Sequence, residues 1–172
     1  MTAADIERRC NDLIAAWKDQ KLTFAEYKYR GEITLDVEHA EASRKGFQEA
    51  AGAVSSMLSS PDSSPMRETL AGFLKQLKGV SETLGLWIEV QTAWVPLEEA
   101  FSKGDIARQL PEEAKCFVGV DKAWTNIMTE AKAQPNILEF CGSELLQTLP
   151  ALKEQLAECQ RKLSAHLAAT PH

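Results

Sequence analysis

The sequence predicts a mainly α fold, an elongated helical bundle that carries one small β-hairpin. Three observations predict it. Leu70, Phe73, Leu77, Val80, Leu84, Trp87, Gln91, Trp94, Glu98 and Phe101 recur in unbroken steps of three and four, which is the period of one helix face. Two more stripes of the same kind follow, Phe117–Ala131 and Leu145–His166. Near the start, Ile33, Leu35 and Val37 alternate with Glu32, Thr34 and Asp36, which is the period of a strand. The 172 residues then divide as one segment. Residues 1–60 hold a helix, the hairpin and a helix, 67–101 the long helix, and 111–172 the C-terminal helices.

The first helix is marked by Ile6, Cys10, Leu13, Ile14 and Trp17 on one face, with Asp5 and Glu7 near its start, where acidic side chains face the positive helix end. In the hairpin, a three-residue loop of Tyr29, Arg30 and Gly31 places Gly31 at the left-handed position such loops require. Tyr27 then faces Ile33, Lys28 faces Glu32 and Ala25 lies opposite Leu35, so that one hairpin face is apolar and the other polar. A lone hairpin is marginal in water and must pack on something.

A second helix starts at Glu38, with Phe47, Ala51, Val54 and Leu58 on its buried face. Gly46 and Gly52 lie inside it and weaken it by about 1 kcal/mol each relative to alanine. Weak helix sequence accounts for them more simply than a close helix contact. The Ser59–Pro65 loop, with Pro61 and Pro65, is the clearest break in the chain.

In the long helix, Pro96 removes the hydrogen bond to the Thr92 carbonyl, which predicts a kink near Ala93–Val95. The wide apolar surface of this helix calls for more than one packing neighbour. After a turn through Lys103 and Gly104, Pro111 opens the next helix, where its missing N–H costs nothing. Gln134–Pro135 ends that helix. The last helix carries Leu145, Leu149, Leu152, Leu156, Cys159, Leu163 and His166 on its stripe. Pro150 predicts a break there, with the main helix starting at that residue. Thr170–Pro171–His172 closes the pattern.

Composition excludes several function classes. A net charge of −6 supplies no basic surface for nucleic acid, and no apolar run approaches the roughly 20 residues that span a bilayer. Cys10, Cys116, Cys141 and Cys159 are scattered, with no CxxC pair, so free thiols in a reducing compartment are expected and no metal site is. No phosphate loop, dinucleotide-binding turn or nucleophile motif is present, which predicts no catalytic residue and no cofactor. His166 reads as a residue at the edge of packing with one hydrogen bond. Glu98, Glu99, Glu112 and Glu113 read as solvated charge and helix-end electrostatics. Trp17, Trp87, Trp94 and Trp124 on apolar faces serve as core, with interface anchoring as the alternative. Tyr27, Tyr29 and Arg30 at the hairpin tip are the candidate interface.

The run LWIEVQTAWVPLEEAF, Leu86 to Phe101, followed by DIARQLPEEAKCFVGVDKAWTNIM, Asp105 to Met128, resembles the N-terminal linker region of dynein heavy chains. The residues that carry the resemblance are Trp87, Val90, Gln91, Trp94, Leu97, Glu98 and Phe101. They continue with Asp105, Ile106, Gln109, Leu110, Pro111, Glu113 and Phe117, then Val120, Asp121, Trp124, Ile127 and Met128. Where Pro96 stands the family usually has a bulkier residue. The wording is closer to axonemal than to cytoplasmic heavy chains.

The resemblance implies a non-catalytic arm that moves with the nucleotide cycle of a ring of AAA+ modules, in a cytoskeletal setting such as a cilium or flagellum. It implies that the rest of the linker and that ring are missing here. The implied partners are those parts of the same heavy chain and other dynein subunits, with no nucleic acid and no membrane. Lys103–Pro111, beside Pro96, is the expected joint. A free-standing helical interaction module is the alternative.

Overall fold

In the computed structural model, residues 2–169 are described, apart from the side chain of Ser143. Thr170, Pro171 and His172 lie outside them. Helix α1 spans Ala3–Trp17, strands β1 and β2 are Phe24–Ala25 and Thr34–Leu35, and α2 is Val37–Leu58. A 3-10 helix at Pro61–Met66 leads into α3, Arg67–Ser102. Then come α4 (Asp105–Gln109), α5 (Pro111–Ala133), α6 (Ile137–Phe140) and α7 (Ser143–Ala169). The 36 residues of α3 make a spine about 54 Å long at 1.5 Å per residue, with α2 and α7 packed most extensively along it.

Local chemistry explains the starts of the helices. Thr2 caps α1 through a reciprocal pair, Asp5 N donating to Thr2 Oγ1 and Thr2 N donating to Asp5 Oδ2, both at 3.1 Å. Those hydrogen bonds, backbone first, hold the Asp5 carboxyl below its usual range. Asp36 caps α2 by accepting from His39 N, as short polar side chains do at helix starts. Gly104, at φ +81, supplies the left-handed turn that ends α3, and Pro111 opens α5.

Four local expectations are corrected. The hairpin pairs Phe24 with Leu35 and Ala25 with Thr34, one residue away from the expected register. Tyr27 N donates to Gly31 O, and Ile33 N turns back to the same carbonyl. The loop thus closes between Tyr27 and Gly31, one residue earlier on each strand than expected. Residues 32 and 33 together oppose residue 26, which leaves the strands one residue out of the expected register. Thr34, expected on a polar face, is buried, and its hydroxyl donates to Ala25 O at 2.9 Å. Both hairpin faces are covered, so alternation no longer reports the register.

The Ser59–Pro65 loop is largely the 3-10 helix, with Ser63 fully buried and its hydroxyl donating to Ser60 O at 2.7 Å. Pro150 does not break α7, which runs continuously from Ser143 to Ala169. Leu149 and Leu152, buried on either side of it, hold both parts against the core. Helix α3 also runs on through Pro96, and Trp94, Leu97 and Glu98 are all buried there. Packing on both flanks offsets the lost hydrogen bond.

Gly46 is the fourth correction. A Cβ there would overlap the six-membered ring of Trp17, whereas a Cβ on Gly52 would meet nothing within 4 Å. The Trp17 ring lies 4.8 Å from that of Phe47, so Gly46 is what lets α1 approach α2. Helix propensity predicts that alanine stabilises both sites by up to about 1 kcal/mol. Geometry predicts opposite signs. Gly52→Ala raises the urea midpoint, while Gly46→Ala lowers it by an overpacking cost of about 1–3 kcal/mol. A stabilised Gly46→Ala protein would refute the close-contact account.

Candidate functional site

One side-chain cluster gathers the most informative residues of the sequence. Gln91, Trp94 and Glu98 project from α3, and Asp121 and Trp124 from α5, all onto the hairpin. Spacings of three and four place each set on one helix face.

Gln91 is buried and acts as a third strand. Its Oε1 accepts from Leu35 N at 2.7 Å and its Nε2 donates to Leu35 O at 3.1 Å. The edge of β2 is thereby closed within the protein. Trp124 Nε1 donates to Ile33 O at 2.9 Å. Trp94 is fully buried, with the Tyr27 ring 4.8 Å away on one side and the Trp124 ring 5.7 Å away on another.

Around this aromatic stack sits a charge-balanced network. Tyr27 donates its hydroxyl proton to Glu98 Oε2 at 2.6 Å, and Lys28 Nζ donates to the same oxygen at 3.1 Å. Arg30 forks onto Asp121, at 3.0 Å and 2.8 Å to its two carboxylate oxygens, the bidentate geometry that makes arginine pairs strong. Trp94 Nε1 donates to Asp121 Oδ1 at 2.9 Å. The Arg30 guanidinium also lies 5.5 Å from the Trp94 ring centre, within cation–π range. The hydrogen bond to Asp121, ahead of its opposing burial, pushes Arg30 further toward its charged form. Two carboxylates meet two cations, so the network leaves little unbalanced charge to attract a substrate.

Lys28 takes a left-handed backbone at φ +52, a conformation that costs a non-glycine residue about 1–2 kcal/mol. Its ion pair with Glu98 at 3.1 Å accompanies that strain.

Burial first, and then the Glu98 hydrogen bond, raise the Tyr27 hydroxyl well above its ordinary 10.0. The unfolded chain loses that proton first, so the stabilisation is present below pH 10 and declines as pH rises beyond it. Cys10, Cys141 and Cys159 are also raised, and all three contribute to alkaline loss in any Tyr27 variant. Tyr27→Phe is therefore less stable at pH 7 and falls less steeply above pH 10 than the parent chain. Equal alkaline slopes in urea unfolding would refute the assignment.

The remaining residues of the motif occupy other positions. Trp87, Leu97 and Met128 are fully buried core, and the Trp87 ring stacks on Phe140 at 5.6 Å. Trp87 Nε1 is buried without a hydrogen-bond partner. Phe101 and Phe117 stack at 5.4 Å, joining α3 to α5. Asp105, Ile106, Gln109, Leu110 and Pro111 form or flank α4, which has no buried residue. Asp105 pairs with Arg108 at 2.6 Å in full exposure, and Gln109 meets the His166 ring at 2.6 Å.

Two readings of individual residues change. Glu98 is buried rather than solvated. Tyr27 and Arg30 turn inward, which leaves Tyr29 alone fully exposed at the tip. Lys28 was missed, because nothing local announces an ion pair with a residue 70 positions away. Among the described residues no three His, Cys, Asp or Glu side chains converge to hold a metal. Nor is any helix long and apolar enough to cross a membrane.

Residues 2–170 match the family described as dynein heavy chain, N-terminal region 2. The chain belongs to the dynein heavy chain family. It is 36% identical over 165 residues to dynein axonemal heavy chain 8 of Homo sapiens, and 35% identical over 165 residues to dynein axonemal heavy chain 5 of Rattus norvegicus. To the dynein gamma chain, flagellar outer arm, of Chlamydomonas reinhardtii it is 38% identical over 164 residues. These alignments cover 94–95% of the chain but only 4–5% of each relative. In this dynein heavy chain segment, the residues that carried the resemblance include the five that grip the hairpin.

Proposed function

We propose that the chain is a non-catalytic mechanical element of a microtubule motor, the N-terminal part of a dynein linker. In this reading it passes ATP-driven shape change between a ring of AAA+ modules and the tail. Its partners are that ring and the remaining linker of the same heavy chain, together with other dynein subunits. The axonemal and flagellar names of its relatives support a setting in a cilium or flagellum.

One observation carries the reading: Gln91, Trp94, Glu98, Asp121 and Trp124 spend their polar groups on fixing the hairpin to α3 and α5. A force-bearing element needs packed parts that do not slide, and a short compliant joint. Here α4 is that joint, one helical turn between Gly104 and Pro111 that holds no buried residue and rests on the core only through the half-buried Ile106 and Leu110.

The test uses a full-length heavy chain containing this segment. Gln91→Leu keeps basal ATP turnover within about twofold and slows microtubule gliding several-fold. If turnover and gliding fall in proportion, the segment acts on the ring's chemistry and the mechanical reading fails. A second reading, a free-standing helical interaction module, draws on the fully exposed Tyr29. A source-cell product near 19 kDa on an immunoblot would favour that module, and a very large heavy-chain band favours the linker.

A further inference from the structure

Cys116 and Cys159 stand apart from every contact used above. Cys116 lies exposed on α5, and Cys159 lies buried on α7. Both line one crevice of about 110 Å3, shared with Glu112, Glu113, Glu158 and Lys162. The Lys162 ammonium meets Glu113 at 3.5 Å, three residues beyond one cysteine and three before the other. That ion pair holds the two helices in register one turn from the thiols. Phe117, Leu156 and Leu163, buried next to the pair, keep the helices from separating. The other two cysteines, Cys10 and Cys141, are both buried, so Cys116 is the exposed thiol among the described residues.

We propose that Cys116 and Cys159 are a thiol pair that a small disulfide, such as oxidised glutathione, converts into a covalent bond between α5 and α7. In the first step the Cys116 thiolate attacks one glutathione sulfur. The glutathione S–S bond breaks, a Cys116–glutathione bond forms, and one glutathione leaves as thiolate. In the second, the Cys159 thiol gives its proton to water and its sulfur attacks the Cys116 sulfur. The second glutathione leaves as thiolate, and both leaving thiolates are protonated from water. Two protein thiols are oxidised to one disulfide, and one glutathione disulfide is reduced to two thiols.

Burial, and then the neighbouring Cys116 thiol, push Cys159 up to about 12. The second step is therefore slow at neutral pH and accelerates about tenfold per pH unit, because the thiolate is the nucleophile. The bond closes a loop of more than 40 residues of the sequence, long enough for a substantial effect on the unfolded chain.

The test incubates the intact 172-residue chain with oxidised glutathione, followed by acid quenching, alkylation and non-reducing peptide mapping. One intramolecular Cys116–Cys159 bond is expected, with a rise in Tm of about 5–10 °C. Cys159→Ser stops at a stable glutathione adduct on Cys116, and the exposed-site variant Cys116→Ser acquires no bond. A wild-type chain whose adduct fails to close even as the pH is raised, or that bridges Cys116 to a second chain, would overturn the proposal. The wild-type map decides the matter even if Cys159→Ser fails to fold.

Discussion

Trp94→Ala lowers the stability of the chain by about 3–5 kcal/mol, the range for removing a large buried aromatic side chain. Trp94 lies between the rings of Tyr27 and Trp124, and the hairpin's tip, α3 and α5 all meet on it. Its removal opens a cavity at that meeting point and takes from Asp121 the indole N–H at 2.9 Å. Arg30 loses its ring face as well. Trp94→Phe separates these contributions. It keeps an aromatic ring and drops the charge-assisted hydrogen bond, which alone is worth about 1.5–3 kcal/mol. Urea unfolding of the three proteins gives both numbers. A loss below 1 kcal/mol for the alanine variant would mean that the stack is not a structural centre.

The second large effect comes from Gln91→Leu, a change that keeps bulk and apolar contact and removes only the amide. Leu35 N–H and C=O are then left without the partners they have at 2.7 Å and 3.1 Å. Each buried unpaired backbone group costs about 1–3 kcal/mol, so a loss of about 2–4 kcal/mol is expected after partial relaxation. The damage is local in kind: the Leu35 amide loses its protection from hydrogen exchange before the helices do. Uniform loss of protection along the whole chain would show that Gln91 supports the core generally, not the hairpin.

Helices were legible because the buried stripes keep to steps of three and four over many turns. Leu70 to Phe101 is an uninterrupted example, and all ten of its members are buried in the fold. The hairpin was legible as an element but not in its register. Period-two reasoning assumes one wet face, and Thr34 is buried through a hydrogen bond within the hairpin itself. Pro150 misled for a related reason, since a missing hydrogen bond is local and the burial of Leu149 and Leu152 is not.

The candidate site was half legible. Gln91, Trp94, Glu98, Asp121 and Trp124 stood out as a pattern, and the spacing put them on two helix faces. Their shared target did not stand out, because the hairpin they grip lies more than 50 positions away in the chain. Glu98 illustrates the gap. A glutamate beside Glu99 on a helix reads as solvated charge, and only the arrival of Tyr27, Lys28 and Arg30 makes its burial tolerable. Gly46 is similar, a weak helix residue until the ring of Trp17 is placed against it.

The central claim is that the hairpin, α3 and α5 form one stiff body, with compliance concentrated in α4. Native-state hydrogen exchange tests it directly. The account predicts that the Leu35 amide, bonded to Gln91, opens with the same free energy as core α3 amides such as Leu84. It also predicts that Arg108 and Leu110, bonded across α4 to Gly104 and Ile106, exchange by local opening at least a hundredfold faster. A Leu35 amide that exchanges with the α4 amides, or an α4 as protected as α3, would contradict it.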